Sequence, residues 1–215
     1  MENQYQKDYY VGSGSNYGKL PGGYNFLRRA IFWQGKIDII KKYVQNGKVL
    51  DIGCSYGFFL YFLKKWFKIY GCDISSHAIG VCKKIFPNLP ENRFWVQNIE
   101  QKLPFPKNYF NLIICMDVIE HIGDVLVPLK YIYTSLTRDG IFLLKIPIRT
   151  RYKIIEFLRF DNDPTHVSVL PERILISKIK KSGFEILEKK YYMMGFMPIP
   201  NFLNFGTDLL LVLKK

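Results

Sequence analysis

Several things are missing from this chain, and each absence narrows its class. No uncharged apolar stretch reaches the roughly 18–20 residues needed to cross a bilayer, so no membrane-spanning helix is expected. The opening MENQYQKDYY has no basic segment followed by an apolar one, so no secretory leader is expected and the location is read as cytoplasmic. Cys54, Cys72, Cys82 and Cys115 form no CxxC pair, and three of them fall in apolar runs. Buried, reduced thiols are therefore expected, not a disulfide or a thiolate-bound metal. There is no internal repeat and no low-complexity tract. Acidic residues are few, 18 against 31 basic ones, for a net charge of +13. Yet no run of five basic residues appears. Lysines come in pairs, such as Lys64-Lys65 and Lys83-Lys84, that suit the solvent face of a helix. Charge so dispersed permits a nucleic-acid partner without favouring one.

What remains is an ordinary core-forming composition: 215 residues, 48% hydrophobic, with 17 Phe and 15 Tyr. That size suits one domain, expected over 24–215, as a monomer or homodimer. Residues 1–23 carry Gly12, Gly14, Gly18, Gly22 and Gly23 around Pro21, and are expected to be irregular and flexible. With Tyr9, Tyr10, Tyr17 and Tyr24 nearby, this segment is read as a lid over a ligand. Helical spacing runs from Tyr24 to Gln45, and KVLDIG (48–53) is a buried strand. A helix over 57–67, a strand over 68–74, a helix over 76–86 and strands over 93–99 and 109–117 follow. A helix over 125–136, a turn at Arg138-Asp139-Gly140 and a strand over 141–147 continue the alternation. A last helix (171–182) precedes two strands, 184–193 and 207–215, joined without a helix. Strands alternating with helices give a mostly parallel sheet covered on both faces and closed by an antiparallel pair. Residues 191–205 contain no charge, which assigns them to the core, a partner copy or an apolar acceptor.

The turn after the first strand reads Asp51-Ile52-Gly53-Cys54-Ser55-Tyr56-Gly57. Gly53 and Gly57 clear the way for backbone N–H groups to meet a ligand, and Asp51 places a carboxylate where a ligand ammonium can sit. The second strand ends at Asp73, 22 positions after Asp51. An acid there can accept from both hydroxyls of a ribose, so the pair points to an adenosine-containing cofactor. A nicotinamide dinucleotide is excluded, because the turn lacks the GxGxxG spacing that admits a pyrophosphate.

In order and spacing, VLDIGCSYGFF, GCDIS, LPFPKNYFNLIICMDVIEHI and LTRDGIFLLKIP resemble the successive motifs of class I S-adenosylmethionine-dependent methyltransferases. The likeness is nearest to the branch containing quinone-biosynthesis and sugar O-methyltransferases, and it covers residues 46–147 best. It implies a Rossmann-like α/β fold with a seven-stranded, mostly parallel sheet, helices on both faces and an antiparallel last strand. It also implies S-adenosylmethionine as cofactor, with Asp51, Gly53, Ser55 and Gly57 around its methionine part, Asp73 on the ribose and Ile74 beside the adenine. Asn98 and Ile99 would meet the adenine, and Met116 and Asp117 would lie under the sulfonium. Two positions depart from the pattern: Ser55 stands where glycine is commonest, and Asn98 replaces the usual Asp. Arg28 or Arg29 is read as a partner for the cofactor carboxylate, or equally as a solvated surface charge.

Transfer to a hydroxyl needs a base, and His121 and His166 are placed after the fourth and fifth strands to supply one. Asp161 and Asp163 flank His166 in sequence and would orient it. These three together could hold a cation, but short acidic loops are far commoner than metal sites, and no metal is expected. His77, near a helix start, is read as structural. The acceptor is expected to be a small molecule, methylated at oxygen in a sugar, isoprenoid or aromatic compound. An RNA methyltransferase and a non-catalytic S-adenosylmethionine-binding protein are the alternatives.

Overall fold

Neighbouring residues of each central strand enter different cores: Val49 packs on one side and Leu50 on the other, as do Ile113 and Ile114. Strands buried on both faces read as continuous apolar runs, which is why KVLDIG and NLIICM lack polar alternation. The computed structural model describes residues 5–11, 23–149, 165–193, 197–200, 203 and 205–215. Strands β1 (Gly47–Ile52), β2 (Phe67–Asp73), β3 (Phe94–Val96), β4 (Phe110–Met116), β5 (Leu136–Pro147), β6 (Glu185–Met193), β7 (Met197–Pro198) and β8 (Asp208–Lys214) form one sheet. Their order is β3-β2-β1-β4-β5-β8-β6-β7. The first five are mutually parallel, and β8 runs antiparallel between β5 and β6.

The α-helices are α1 (Lys7–Val11), α2 (Ile31–Tyr43), α3 (Phe58–Leu63), α4 (Ser76–Ile85), α5 (Leu126–Ser135) and α6 (Glu172–Lys181) among the described residues. Helices α2, α3 and α4 cover one face through Ile37, Ile40, Leu60, Leu63 and Cys82. Helices α5 and α6 cover the other through Leu129, Ile132, Leu175 and Ile179. Fully burying a side chain of this size contributes about 1.5–3 kcal/mol, so the two cores fix the sheet between its helix layers. All four cysteines are buried free thiols. Among the described residues no helix is long and apolar enough to cross a membrane.

The architecture agrees with the expected one, with corrections of detail. The sheet has eight strands, because two residues of the uncharged stretch pair with β6 as β7, Tyr192 opposite Pro198. The helix expected over 24–45 is broken into a 3-10 segment, Gly23–Arg28, and α2. Lys7–Val11 forms a short helix inside the segment expected to be irregular, with Tyr5 and Tyr10 buried. Within β5, Leu136 pairs with Phe110 and the ladder resumes only at Ile141 opposite Leu112, so the chain loops out at the expected turn Arg138-Asp139-Gly140, where Asp139 is left-handed at φ 62°. The β4–β5 register shifts there, between Phe110 and Leu112. Of the uncharged stretch, Tyr191 and Tyr192 are buried in the chain's own core, whereas Met197 and Leu203 are exposed.

Candidate functional site

Strand order reverses between β1 and β4, and in an open α/β sheet a crevice forms outside the carboxyl ends at such a point. Here it is a cleft lined by the ends of four strands. Ile52, Gly53 and Ser55 come from β1, Asp73 and Ile74 from β2, Gln97 to Ile99 from β3, and Met116 to Val118 from β4. His121 and Ile122 close one side, and Tyr5, Tyr9, Tyr10 and Tyr24 roof the opening. The tyrosines stack edge-on in sequence, Tyr5 on Tyr9, Tyr9 on Tyr10 and Tyr10 on Tyr24, with centroids 5.0–5.4 Å apart.

The first turn is held by its neighbour strand. Gly53 and Cys54 donate their N–H groups to the Cys72 carbonyl, at 2.8 and 3.0 Å. Gly53, at φ +74°, occupies left-handed backbone, and a Cβ there would run into Val118. Ser55 is also left-handed, at φ 48°, a conformation that costs an L-residue about 1–2 kcal/mol. Its N–H is gripped by Asp73 Oδ2 at 2.8 Å, while Asp73 Oδ1 accepts from Ser75 N at 2.9 Å. Ser75 in turn caps α4 by accepting from Ala78 N.

Two carboxylates are thus buried at adjacent strand ends. Burial and the Asp73 charge push Asp51 well above the usual carboxylate range. Burial also raises Asp73, and the N–H groups of Ser75, Ser55 and Ile74 partly hold it down. Neither has a cationic side chain beside it among the described residues. A buried, uncompensated carboxylate pair suits a cationic ligand, such as a sulfonium nucleoside with an ammonium group.

At β3, Asn98 Oδ1 accepts from Glu100 N at 2.9 Å. Its amide nitrogen faces Glu100 Oε2 at 3.4 Å, a pairing that the usual Asp could not make beside Glu100. On the far side of the cleft, Asp117 is left-handed at φ 55°. Lys145 Nζ on β5 binds Asp117 Oδ1 at 2.5 Å and Asp208 Oδ1 on β8 at 3.2 Å. Burial alone would favour the neutral amine, but the two carboxylates outweigh it and raise the Lys145 pKa. Nearby Lys36 is lowered to about 8, by burial first and then by Lys145.

Of the residues expected at the site, Gly53, Ser55, Asp73, Ile74, Asn98, Ile99, Met116, Asp117 and His121 line the cleft. Asp51, Gly57 and His166 do not line it. Gly57 is required by packing: a Cβ would lie 2.7 Å from Cys82 Sγ. His121 and His166 do meet, ring centroids 4.7 Å apart, because Glu120 O accepts from both Val167 N and Ser168 N. Asp161 and Asp163 lie outside the described residues. His77 hydrogen-bonds Tyr56 OH at 3.2 Å, and Arg28 lies over the Phe58 ring. Tyr5, Glu120, Lys145 and Asp208 were missed. Lys145 and Asp208 sit inside apolar strand runs, and a charge in such a run is the signal that was available.

A doubly wound sheet with an acid at the end of its second strand and a cleft at its switch point defines a nucleoside-cofactor domain. The model of the methyltransferase domain family matches residues 28–189, and the chain belongs to that family. The domain is of the S-adenosylmethionine-dependent kind, and S-adenosylmethionine is its cofactor. A solved S-adenosylmethionine-dependent methyltransferase from Clostridium acetobutylicum superposes with a TM-score of 0.66 at 17% identity, over 96% of this chain and 95% of that one. The rat mitochondrial protein named arginine-hydroxylase NDUFAF5 is 32% identical over 96 residues, which are 44% of this chain and 27% of the relative. An uncharacterized protein of Methanocaldococcus jannaschii is 36% identical over 102 residues, 46% of this chain and 41% of the relative. Both matches span well under half the length of the relative.

Proposed function

We propose that the protein transfers the methyl group of S-adenosylmethionine to a hydroxyl of a small molecule. The observation that carries this reading is the position of His121. It stands on the cleft wall with Met116 and Asp117, across the sheet's switch point from Asp73, with its Nδ1 fixed by Thr165 Oγ1 at 2.8 Å. In this reading Asp73 takes the ribose hydroxyls, Ile74, Asn98 and Ile99 border the adenine, and the buried carboxyl of Asp51 favours the cationic amino-acid end. The acceptor then enters between Met116, Asp117 and His121, under the tyrosines.

Methyl transfer is an in-line displacement in which charge disperses, so the protein gains from positioning and from excluding water. The tyrosine roof supplies the exclusion. A neutral hydroxyl is a weak nucleophile at neutral pH and must lose its proton as it attacks, which is why imidazole or another activating group belongs at this wall. Calorimetric titration with S-adenosylmethionine and its demethylated product tests the binding half of the reading, and no binding would overturn it. Transfer of labelled methyl to cell extract fractionated into RNA, lipid, glycan and small molecules tests the rest. Label is expected in small molecules or glycan precursors, and label confined to RNA would overturn the acceptor class.

A further inference from the structure

Glu120 follows β4 in a 3-10 turn, Ile119–His121, and its side chain is completely buried with neither carboxylate oxygen making a hydrogen bond among the described residues. Both protonation states leave the group unsatisfied. The anion is buried without a bonded donor, and the neutral acid has no acceptor for its O–H. Such a group costs about 1–3 kcal/mol, more when charged.

Two imidazoles stand beside it. His166 Nε2 is 3.8 Å from Glu120 Oε1, too far for a hydrogen bond but a natural separation for two ligands of one ion. One donor atom each from Glu120, His121 and His166 lies within 4.8 Å of the others. The three come from two segments locked together by the paired N–H groups of Val167 and Ser168 on Glu120 O. Thr165 Oγ1 fixes His121 through Nδ1, the outer-shell arrangement that orients a metal-bound imidazole.

We propose that Glu120, His121 and His166 bind a divalent first-row transition ion at the wall of the cleft. Two imidazoles and one carboxylate favour zinc, cobalt or manganese over magnesium, which prefers an all-oxygen shell. Three protein donors leave a coordination position open, as in catalytic sites, and His121 places that position on the cleft. This deepens the hydroxyl-acceptor reading and rests on it. The ion would polarise the acceptor hydroxyl, whose proton passes to water. The oxygen–carbon bond then forms as the carbon–sulfur bond breaks, and the electron pair stays on sulfur.

The test uses the full chain freed of metal with a chelator, then titrated with Zn2+ by calorimetry and with Co2+ by visible absorption. One ion per chain is expected, with a Co2+ spectrum of nitrogen and oxygen ligation. Glu120→Gln and His166→Ala should each weaken binding at least about tenfold, while His77→Ala should leave it unchanged. Cofactor affinity, measured on the same samples, reports folding; where Glu120→Gln fails to fold, His166→Ala decides. No ion binding by a chain that binds S-adenosylmethionine would overturn the metal site and leave the methyltransferase reading standing. Ion binding untouched by both variants would also overturn it. Failure to bind the cofactor would count against the function alone, because the ion titration is read separately.

Discussion

Asp73 Oδ2 accepts a hydrogen bond from the backbone N–H of Ser55, 2.8 Å away, tying the end of β2 to the turn after β1. The acid proposed to take the ribose is thus also the brace for a left-handed residue in the neighbouring turn. Asp73→Ala is therefore expected to act twice. It should lower cofactor affinity by about 2–4 kcal/mol, as loss of charge-assisted hydrogen bonds does. It should also lower the unfolding midpoint of the cofactor-free protein, since the N–H groups of Ser55 and Ser75 lose their acceptor. Calorimetry and urea unfolding measure the two effects. Unchanged affinity would remove Asp73 from the site.

Gly53 is fixed by its own fold as much as by any ligand. At φ +74°, with Val118 against the place of a Cβ, Gly53→Ala is expected to cost about 2–5 kcal/mol from left-handed strain and overpacking together. Val118→Ala in the same chain should recover the packing part only. If urea unfolding shows Gly53→Ala as stable as the wild type, the turn has another conformation.

These two residues show what was legible in the sequence. The strand–turn–helix order, the acids at strand ends and the glycine turn carry local signals, because buried parallel strands are apolar runs and left-handed turns select glycine. Asp51, Gly53 and Asp73 were visible on that basis, and Asn98 through the family resemblance alone. Glu120 was not. Its place in the proposal comes from burial beside His166, and the two are brought together by backbone bonds from Val167 and Ser168, residues far along the chain. Asp117 and Lys145 pair across strands, and spacing along a chain does not reveal cross-strand contacts.

Asp51 should make the cofactor-free protein sensitive to pH. Its carboxyl is raised above 3.8 by burial first and by Asp73 second, so the native state holds a proton that the unfolded chain has released. Stability then falls as pH rises above about 4 until the native carboxyl ionises, and levels off beyond. Asp51→Asn should flatten this slope and be the more stable form above pH 7, by about 1.4 kcal/mol for each unit of the raised pKa. The residual slope belongs to Asp73, raised by burial despite its backbone donors, and to Glu120, raised by burial and by Asp117. Saturating S-adenosylmethionine should narrow the gap, since a cationic ligand offsets the charge. Urea midpoints from pH 4 to 8 decide; equal slopes in both proteins would contradict a buried, unpaired Asp51.

His121 lines the cleft whereas His166 stands behind it, so the two should differ once an acceptor is in hand. His121→Ala is expected to lower turnover at least about tenfold, within the 10²–10⁴ that proton removal from a hydroxyl typically supplies, with cofactor affinity kept. The pH profile then separates two ways of achieving this. A neutral imidazole acting directly on the acceptor gives a rate that falls as acid protonates the ring, and is indifferent to chelators. An ion held by His121, His166 and Glu120 gives activity lost on chelation and restored by Zn2+ or Co2+, with His166→Ala nearly as damaging as His121→Ala although it never touches the acceptor. Full turnover in His121→Ala would exclude both. The acceptor would then be a nucleophile needing no help, an amine or an already acidic hydroxyl, and the cleft would act by positioning and by exclusion of water alone.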